Sequence, residues 1–155
     1  MTETSTPGPF SSLEQEIRTT VGVRLFTVLA WFPERGVLRR VHSSHPGPYP
    51  VGGEKSAEVS GGWLEQCVVR QLPYLGPDRA AVREVFADHR TIDELGCGAV
   101  VNVPVVDEGR TLGMLNVLGS EGSYDDESVR ALSALATRAV PGLRAVTERA
   151  AGGAD

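Results

Sequence analysis

The sequence predicts an α+β domain: a central antiparallel β-sheet with helices packed on its faces. Three observations carry this. Residues 23–32 are apolar at nearly every position, as a strand covered on both sides requires. Residues 99–106 and 111–118 are two more apolar runs, separated by Asp107-Glu108-Gly109-Arg110, which is a hairpin pattern. Toward the C-terminus Val129, Leu132, Leu135, Ala136, Ala139 and Val140 recur at helical spacing.

Taken in order, residues 1–11 are rich in Thr, Pro and Gly and are expected to form a disordered leader, with one domain over 12–149 and a flexible tail over 150–155. Ser11-x-x-Glu14 and Ser12-x-x-Gln15 both fit a capping box, and Leu13, Ile17 and Val21 then share one helix face. After the buried strand, residues 33–36 form a turn. Residues 37–43 return as a strand with Val37, Arg39 and Val41 on one side and Leu38, Arg40 and His42 on the other. Residues 44–62 are dense in Pro, Gly and Ser, and a loop of that length in a compact domain is usually functional or mobile. Helices are expected over 63–72 and, after Pro77-Asp78, over 79–88. The last helix spans 125–149. Ser123 is a candidate N-cap, Asp125, Asp126 and Glu127 sit in the first turn where the macrodipole favours them, and Pro141 should kink or break it.

Composition excludes several functions. A chain of 155 residues suits one domain that buries roughly two-thirds of its unfolded surface without staples. A net charge of -5 argues against general binding to nucleic acid or anionic membranes. No run of about 18 apolar residues is present, which excludes a membrane-spanning helix. The N-terminus lacks a basic, signal-like segment, so the cytoplasm is the expected compartment. Cys67 and Cys97 are distant and fall in no C-x-x-C pair, as expected of unpaired buried thiols in a reducing compartment. His42 and His45 lack a third ligand at motif spacing, and no metal site is expected.

The densest chemistry lies between Phe86 and Val117. Asp88-His89 leads through Gly96-Cys97-Gly98 into the hairpin, and each hairpin strand carries one amide, Asn102 and Asn116. An amide in an apolar strand costs free energy unless hydrogen-bonded, so it marks a structural joint or a binding site. A simple register about Glu108-Gly109 sets Asn102 opposite Leu115 and Asn116 opposite Val101, and the two amides then face opposite sides.

Four segments together resemble the GAF family of small-molecule sensor domains: R-V-H-S-S-x-P at 40–46, Y-P-V-G-G-x-K at 49–55, F-x-D-H-x-x-I at 86–92 and N-V-P-V at 102–105. The chain is similar to small stand-alone bacterial members. The resemblance implies a GAF-like sheet with a pocket between one sheet face and the segment 49–89. Residue by residue it offers Tyr49, Lys55, Trp63, Tyr74, Phe86, Asp88, His89 and Asn102, an aromatic-walled cavity with a few polar groups. Lys55 would pair with a carboxylate or phosphate, His89 would donate to an anion, and Trp63 would close over a planar part. Each also fits a plainer role: a solvated loop lysine, a histidine at a helix end, an aromatic core.

The resemblance implies a sensor for a small anionic metabolite, with no cofactor identified, a homodimer through the terminal helices and a separate output partner. The family binds cyclic nucleotides, tetrapyrroles, haem, amino acids or 2-oxo acids. This chain lacks the bilin-attaching cysteine and an evident N-K-x-D-E motif. Two alternatives remain: a cysteine redox enzyme similar to free-methionine sulfoxide reductases, centred on Cys97 with Cys67 resolving, and an interaction module whose pocket has closed.

Overall fold

A computed structural model describes residues 8–56 and 61–153, with side chains for 8–54 and 62–149. Helix α1 (Ser11–Thr20) leads into β1 (Leu25–Phe32), β2 (Val37–Ser43) and a short β3 (Glu54–Ser56). A middle segment follows: α2 (Gly61–Leu64) running on as a π-helical turn over Glu65–Val69, β4 (Tyr74–Gly76), α3 (Arg79–Val85) and α4 (His89–Glu94). The hairpin β5 (Ala99–Asp107) and β6 (Arg110–Gly119) precedes α5 (Asp126–Ala136), a 3-10 turn and α6 (Val140–Gly153).

The six strands pair in the order β3-β2-β1-β6-β5-β4, antiparallel throughout. This is the expected α+β architecture, with β1 central and buried on both faces. The short edge strands β3 and β4 have no signature in the sequence; each pairs over only three residues.

The sheet separates two cores. On one face α1, α5 and α6 cover Phe26, Val28, Val101, Val103, Leu115 and Val117 with Leu13, Ile17, Leu132 and Leu143. On the other the middle segment lays Tyr49, Trp63, Cys67, Phe86 and Ile92 over Leu25, Leu29, Leu38, Val100, Met114 and Leu118. β1 and β6 approach so closely that a Cβ on Gly113 would stand 2.1 Å from the Leu29 carbonyl oxygen.

Two bulges decide which side chains face which core. In β2 the register passes from Leu29↔Arg40 to Val28↔His42, so Val41 is the extra residue. Arg40 therefore faces the middle segment, while His42 turns to the terminal helices. There it meets Glu14 at 2.7 Å and the rings of Phe10 and Phe26. The simple alternation that grouped Arg40 with His42 fails for this reason. In β6 the pairing steps from Val106↔Thr111 to Val105↔Gly113, which makes Leu112 the extra residue. Beyond it Asn102 lies directly opposite Asn116, not Leu115, and both amides share one face.

Helix ends differ from the sequence expectation in places. α1 begins without a side-chain cap, because Phe10 occupies the N-cap position and Ser11 and Ser12 already lie in the helix, while Glu14 is engaged by Arg18 and His42. α5 is capped by Asp125 in a box with Ser128, not by Ser123. The last helix does break, through a 3-10 turn at Thr137–Ala139 just before Pro141. The second helix stops at Val69, and the third at Val85, short of Asp88. Of the expected leader, residues 1–7 lie outside the described residues, and Phe10 is buried against the helical core; of the expected tail, residues 150–153 continue α6 as helix and 154–155 lie outside the described residues.

Candidate functional site

The polar residues that reach the middle-segment face come from adjacent strands in register. Thr27 of β1 pairs with Asn116 of β6, which pairs with Asn102 of β5. Side chains directly opposite on one face stand close enough to interact, and here they form a hydrogen-bonded row. Trp63 Nε1 donates to Asn102 Oδ1 at 2.9 Å, Asn102 Nδ2 to Asn116 Oδ1 at 2.7 Å, and Asn116 Nδ2 to Thr27 Oγ1 at 3.0 Å. Each amide nitrogen spends one of its two N–H groups in the row.

Above the row is a small cavity of about 20 Å³. Its walls are Leu25, Val100, Ile92, Phe86 and Leu118, and its polar groups come from Thr27, Asn102, Asn116, Arg40, Tyr49 and Asp88. A space of this size accommodates about one water molecule. Tyr49 closes it: its hydroxyl donates to Asp88 Oδ2 at 2.6 Å, and the ring lies under the Arg40 guanidinium at 5.0 Å. Burial foremost, then the hydrogen bond to Asp88, pushes the Tyr49 hydroxyl far above the usual phenol range, so it stays protonated and donates.

Arg40 is the unusual group. It is only 9 % exposed, and its Nε is a buried donor with no acceptor among the described residues. No ion pair joins it to a carboxylate among the described residues; its one side-chain hydrogen bond runs from Nη1 to the Pro50 carbonyl at 3.1 Å. Burial lowers its affinity for the proton, and the charge of Asp88 opposes that effect. A buried guanidinium is costly where its donors are incompletely engaged, and the counter-charge that acts on this one is Asp88, across the Tyr49 ring. Gly53 leaves room for the guanidinium, since a Cβ there would stand 2.6 Å from Nη1.

The segment 44–53 is tied down by the same two side chains. Tyr49 is its only buried residue. Arg40 N donates to the Gly53 carbonyl and Gly52 N donates to the Arg40 carbonyl, both at 2.7 Å. Whatever binds Arg40 and Tyr49 therefore bears on this strap.

Of the residues the sequence singled out, Tyr49, Phe86, Asp88 and Asn102 line the cavity. Trp63 stands behind it, bonded to Asn102 and edge-on to Phe86 at 5.9 Å. Tyr74 sits on edge strand β4 opposite Asn102, half-buried and outside the lining. His89 lines a separate outer cleft. Lys55 pairs through its backbone with Leu38, and its side chain lies outside the described side chains. Arg40, Thr27 and Asn116 complete the polar lining; Asn116 carried the signal of an amide in an apolar strand and Arg40 opens the R-V-H-S-S-x-P segment, while Thr27 carried none.

The two cysteines are not bonded to each other. Both are free and buried, and burial raises their thiols, Cys67 to about 12 and Cys97 to about 11. Such thiols are poor nucleophiles at neutral pH. Among the described residues no cluster of three or more metal-ligating side chains occurs, and no helix is long and apolar enough to cross a membrane.

Comparison with known proteins agrees with this architecture. The family model for the GAF domain matches residues 16–143. Among solved structures, the chain is similar to the GAF domain of a two-component sensor histidine kinase from Bacillus halodurans (TM-score 0.72, 12 % identity, 92 % of this chain and 95 % of that one). It is also similar to a GAF domain/HD domain protein from Geobacter sulfurreducens (TM-score 0.70, 12 % identity, 91 % and 95 % covered). A third is the GAF domain of a phosphoenolpyruvate-protein phosphotransferase from Coxiella burnetii (TM-score 0.66, 16 % identity, 97 % and 89 % covered). At these identities the likeness is one of fold. No curated protein matches the chain.

Proposed function

The chain belongs to the GAF domain family, whose members are sensory and regulatory domains that bind small molecules, and from that premise we propose that it senses a small carboxylic acid. One observation carries the reading: Arg40, buried with an unengaged Nε, at the wall of a cavity whose other polar groups are mostly donors. The second N–H groups of Asn102 and Asn116 and the Thr27 hydroxyl proton have no acceptor among the described residues. A carboxylate supplies acceptors to all of them, and a guanidinium holds it in two parallel hydrogen bonds. Leu25, Phe86, Ile92, Val100 and Leu118 suit a short apolar stem.

The cavity as it stands is too small for such a ligand, so the present state is the closed one. Entry requires the Tyr49–Asp88 hydrogen bond to part and the strap over 44–53 to lift. The ligand then shifts the population toward a lifted or re-seated strap, to the extent that it prefers that state. GAF domains sit with output domains, and this reading assigns the output to a partner protein in the cytoplasm, with two copies pairing through the terminal helices α1, α5 and α6.

Native mass spectrometry of the purified chain, followed by a thermal-shift panel of small carboxylic acids, tests it. A bound acid, or a panel acid that raises the midpoint of the wild type and not of Arg40→Met, supports the reading. A bare mass with no panel acid acting sinks it. That result would favour the second reading, a module whose pocket has closed over its own side chains, which the 20 Å³ volume already favours.

A further inference from the structure

A second cavity lies on the outer side of α3 and α4. It measures about 270 Å³ and is lined by Arg79, Arg83, His89, Arg90 and Asp93, with Val82 and Cys97 at its floor. This is close to the lower end of small-ligand pockets, roughly 300 Å³. Two helices build it. Arg79 and Arg83 are one turn apart on α3, and His89 and Asp93 are one turn apart on α4, so each pair projects from one helix face.

The charges in this cleft do not balance. Arg79 is satisfied, with Nε on Asp93 at 2.8 Å and Nη1 on Glu121 at 3.1 Å. Arg83 and Arg90 make no ion pair among the described residues, although the whole chain is acidic at -5. Two guanidiniums from different helices converging on one concave surface repel each other unless an anion lies between them. Three guanidiniums against one carboxylate in the lining leave a positive excess, and a concave wall with an apolar floor concentrates its field.

We propose that this cleft is a second binding site, for the phosphate group of a soluble phosphorylated metabolite. Arg83 and Arg90 grip the phosphate oxygens from opposite walls and His89 adds a ring N–H donor. Arg79, held by its two carboxylates, fixes the cleft's width. The floor of Val82 and Cys97 receives the uncharged remainder, since the volume exceeds that of one oxyanion. A dianion fits two unmatched guanidiniums better than a single carboxylate does. The site is independent of the interior cavity: Asp88 faces inward and its neighbour His89 outward, so the two sites share a chain segment but no lining residue.

Titration of the full chain with inorganic phosphate and with pyrophosphate, at constant ionic strength and followed residue by residue by NMR, tests the proposal. Saturable shifts confined to α3, α4 and Cys97 are expected. Affinity should fall at least tenfold in R83S/R90S, whose exposed positions leave the fold intact by circular dichroism, and should be unchanged in R40M. Non-saturating shifts, shifts centred on the Arg40 cavity, or an undiminished affinity in R83S/R90S overturn it. Vesicles containing phosphatidic acid present the same group on a surface, and the protein is expected to stay in the supernatant. Co-sedimentation that R83S/R90S abolishes would overturn the soluble source.

Discussion

Asn102 and Asn116 stand directly opposite each other on neighbouring strands, and the Asn102 amide nitrogen donates to the Asn116 amide oxygen at 2.7 Å. Both are almost fully buried, so each depends on the other to remain satisfied. Trp63 and Thr27 terminate the row at its two ends. The row ties three strands and the α2 segment together beneath the cavity, which makes it a rigid floor for whatever binds above.

Replacing one member strands the others. Asn116→Leu leaves the Asn102 amide without its acceptor and should cost about 1–3 kcal/mol, the penalty of a buried unsatisfied polar group. Urea denaturation reads this. The pair Asn102→Leu/Asn116→Leu should lose less than the sum of the two single changes, because the second removes the group the first orphaned. Strict additivity would mean that the two amides do not support each other.

Arg40 should behave in the opposite way. Its buried Nε has no partner among the described residues, so Arg40→Met removes an unengaged donor along with one hydrogen bond to the strap. The urea midpoint of the ligand-free variant is expected to stay level or rise while ligand-induced stabilisation disappears. A loss beyond about 2 kcal/mol would show that Arg40 serves mainly to anchor the strap, since a net intramolecular hydrogen bond contributes only about 0.5–1.5 kcal/mol.

The contact between α1 and β2 is sensitive to acid. Burial raises the Glu14 carboxyl, but the hydrogen bonds and charges of His42 and Arg18 outweigh it and hold the group below its ordinary value of 4.5. Because the folded value is the lower one, the stabilisation is complete above 4.5 and lost as pH falls through the folded value. Glu14→Gln should therefore flatten the acid limb of the stability curve in that window. An acid limb identical in the two proteins would place the sensitivity elsewhere.

The thiols should be inert while the protein is folded. With Cys97 raised to about 11 and Cys67 to about 12, iodoacetamide at neutral pH is expected to label neither in buffer and both in urea, read by intact mass. Rapid native labelling of Cys97 would favour the redox alternative. Cys97→Ser is expected to leave ligand binding intact.

Much of the fold was legible in the sequence. The continuous apolar run of β1 has no other stable place than a strand covered on both faces. The β5–β6 turn uses Glu108 at φ 53 and Gly109 at φ 76, the backbone that a two-residue hairpin demands. The segments 40–46, 49–55, 86–92 and 102–105 pointed to the family, and four of the eight singled-out residues meet in one cavity.

What composition and pattern determined was the set of elements, their class and the region of the site. Tertiary structure alone decided the site's polarity. One extra residue in β6, Leu112, moves Asn116 opposite Asn102, and one in β2, Val41, sets Arg40 and His42 on opposite faces. A bulge inverts the face of every side chain beyond it, yet it arises from how twisted strands settle against their neighbours, not from any local run of residues. That is why Arg40 with its unengaged donor emerged only once the sheet was assembled.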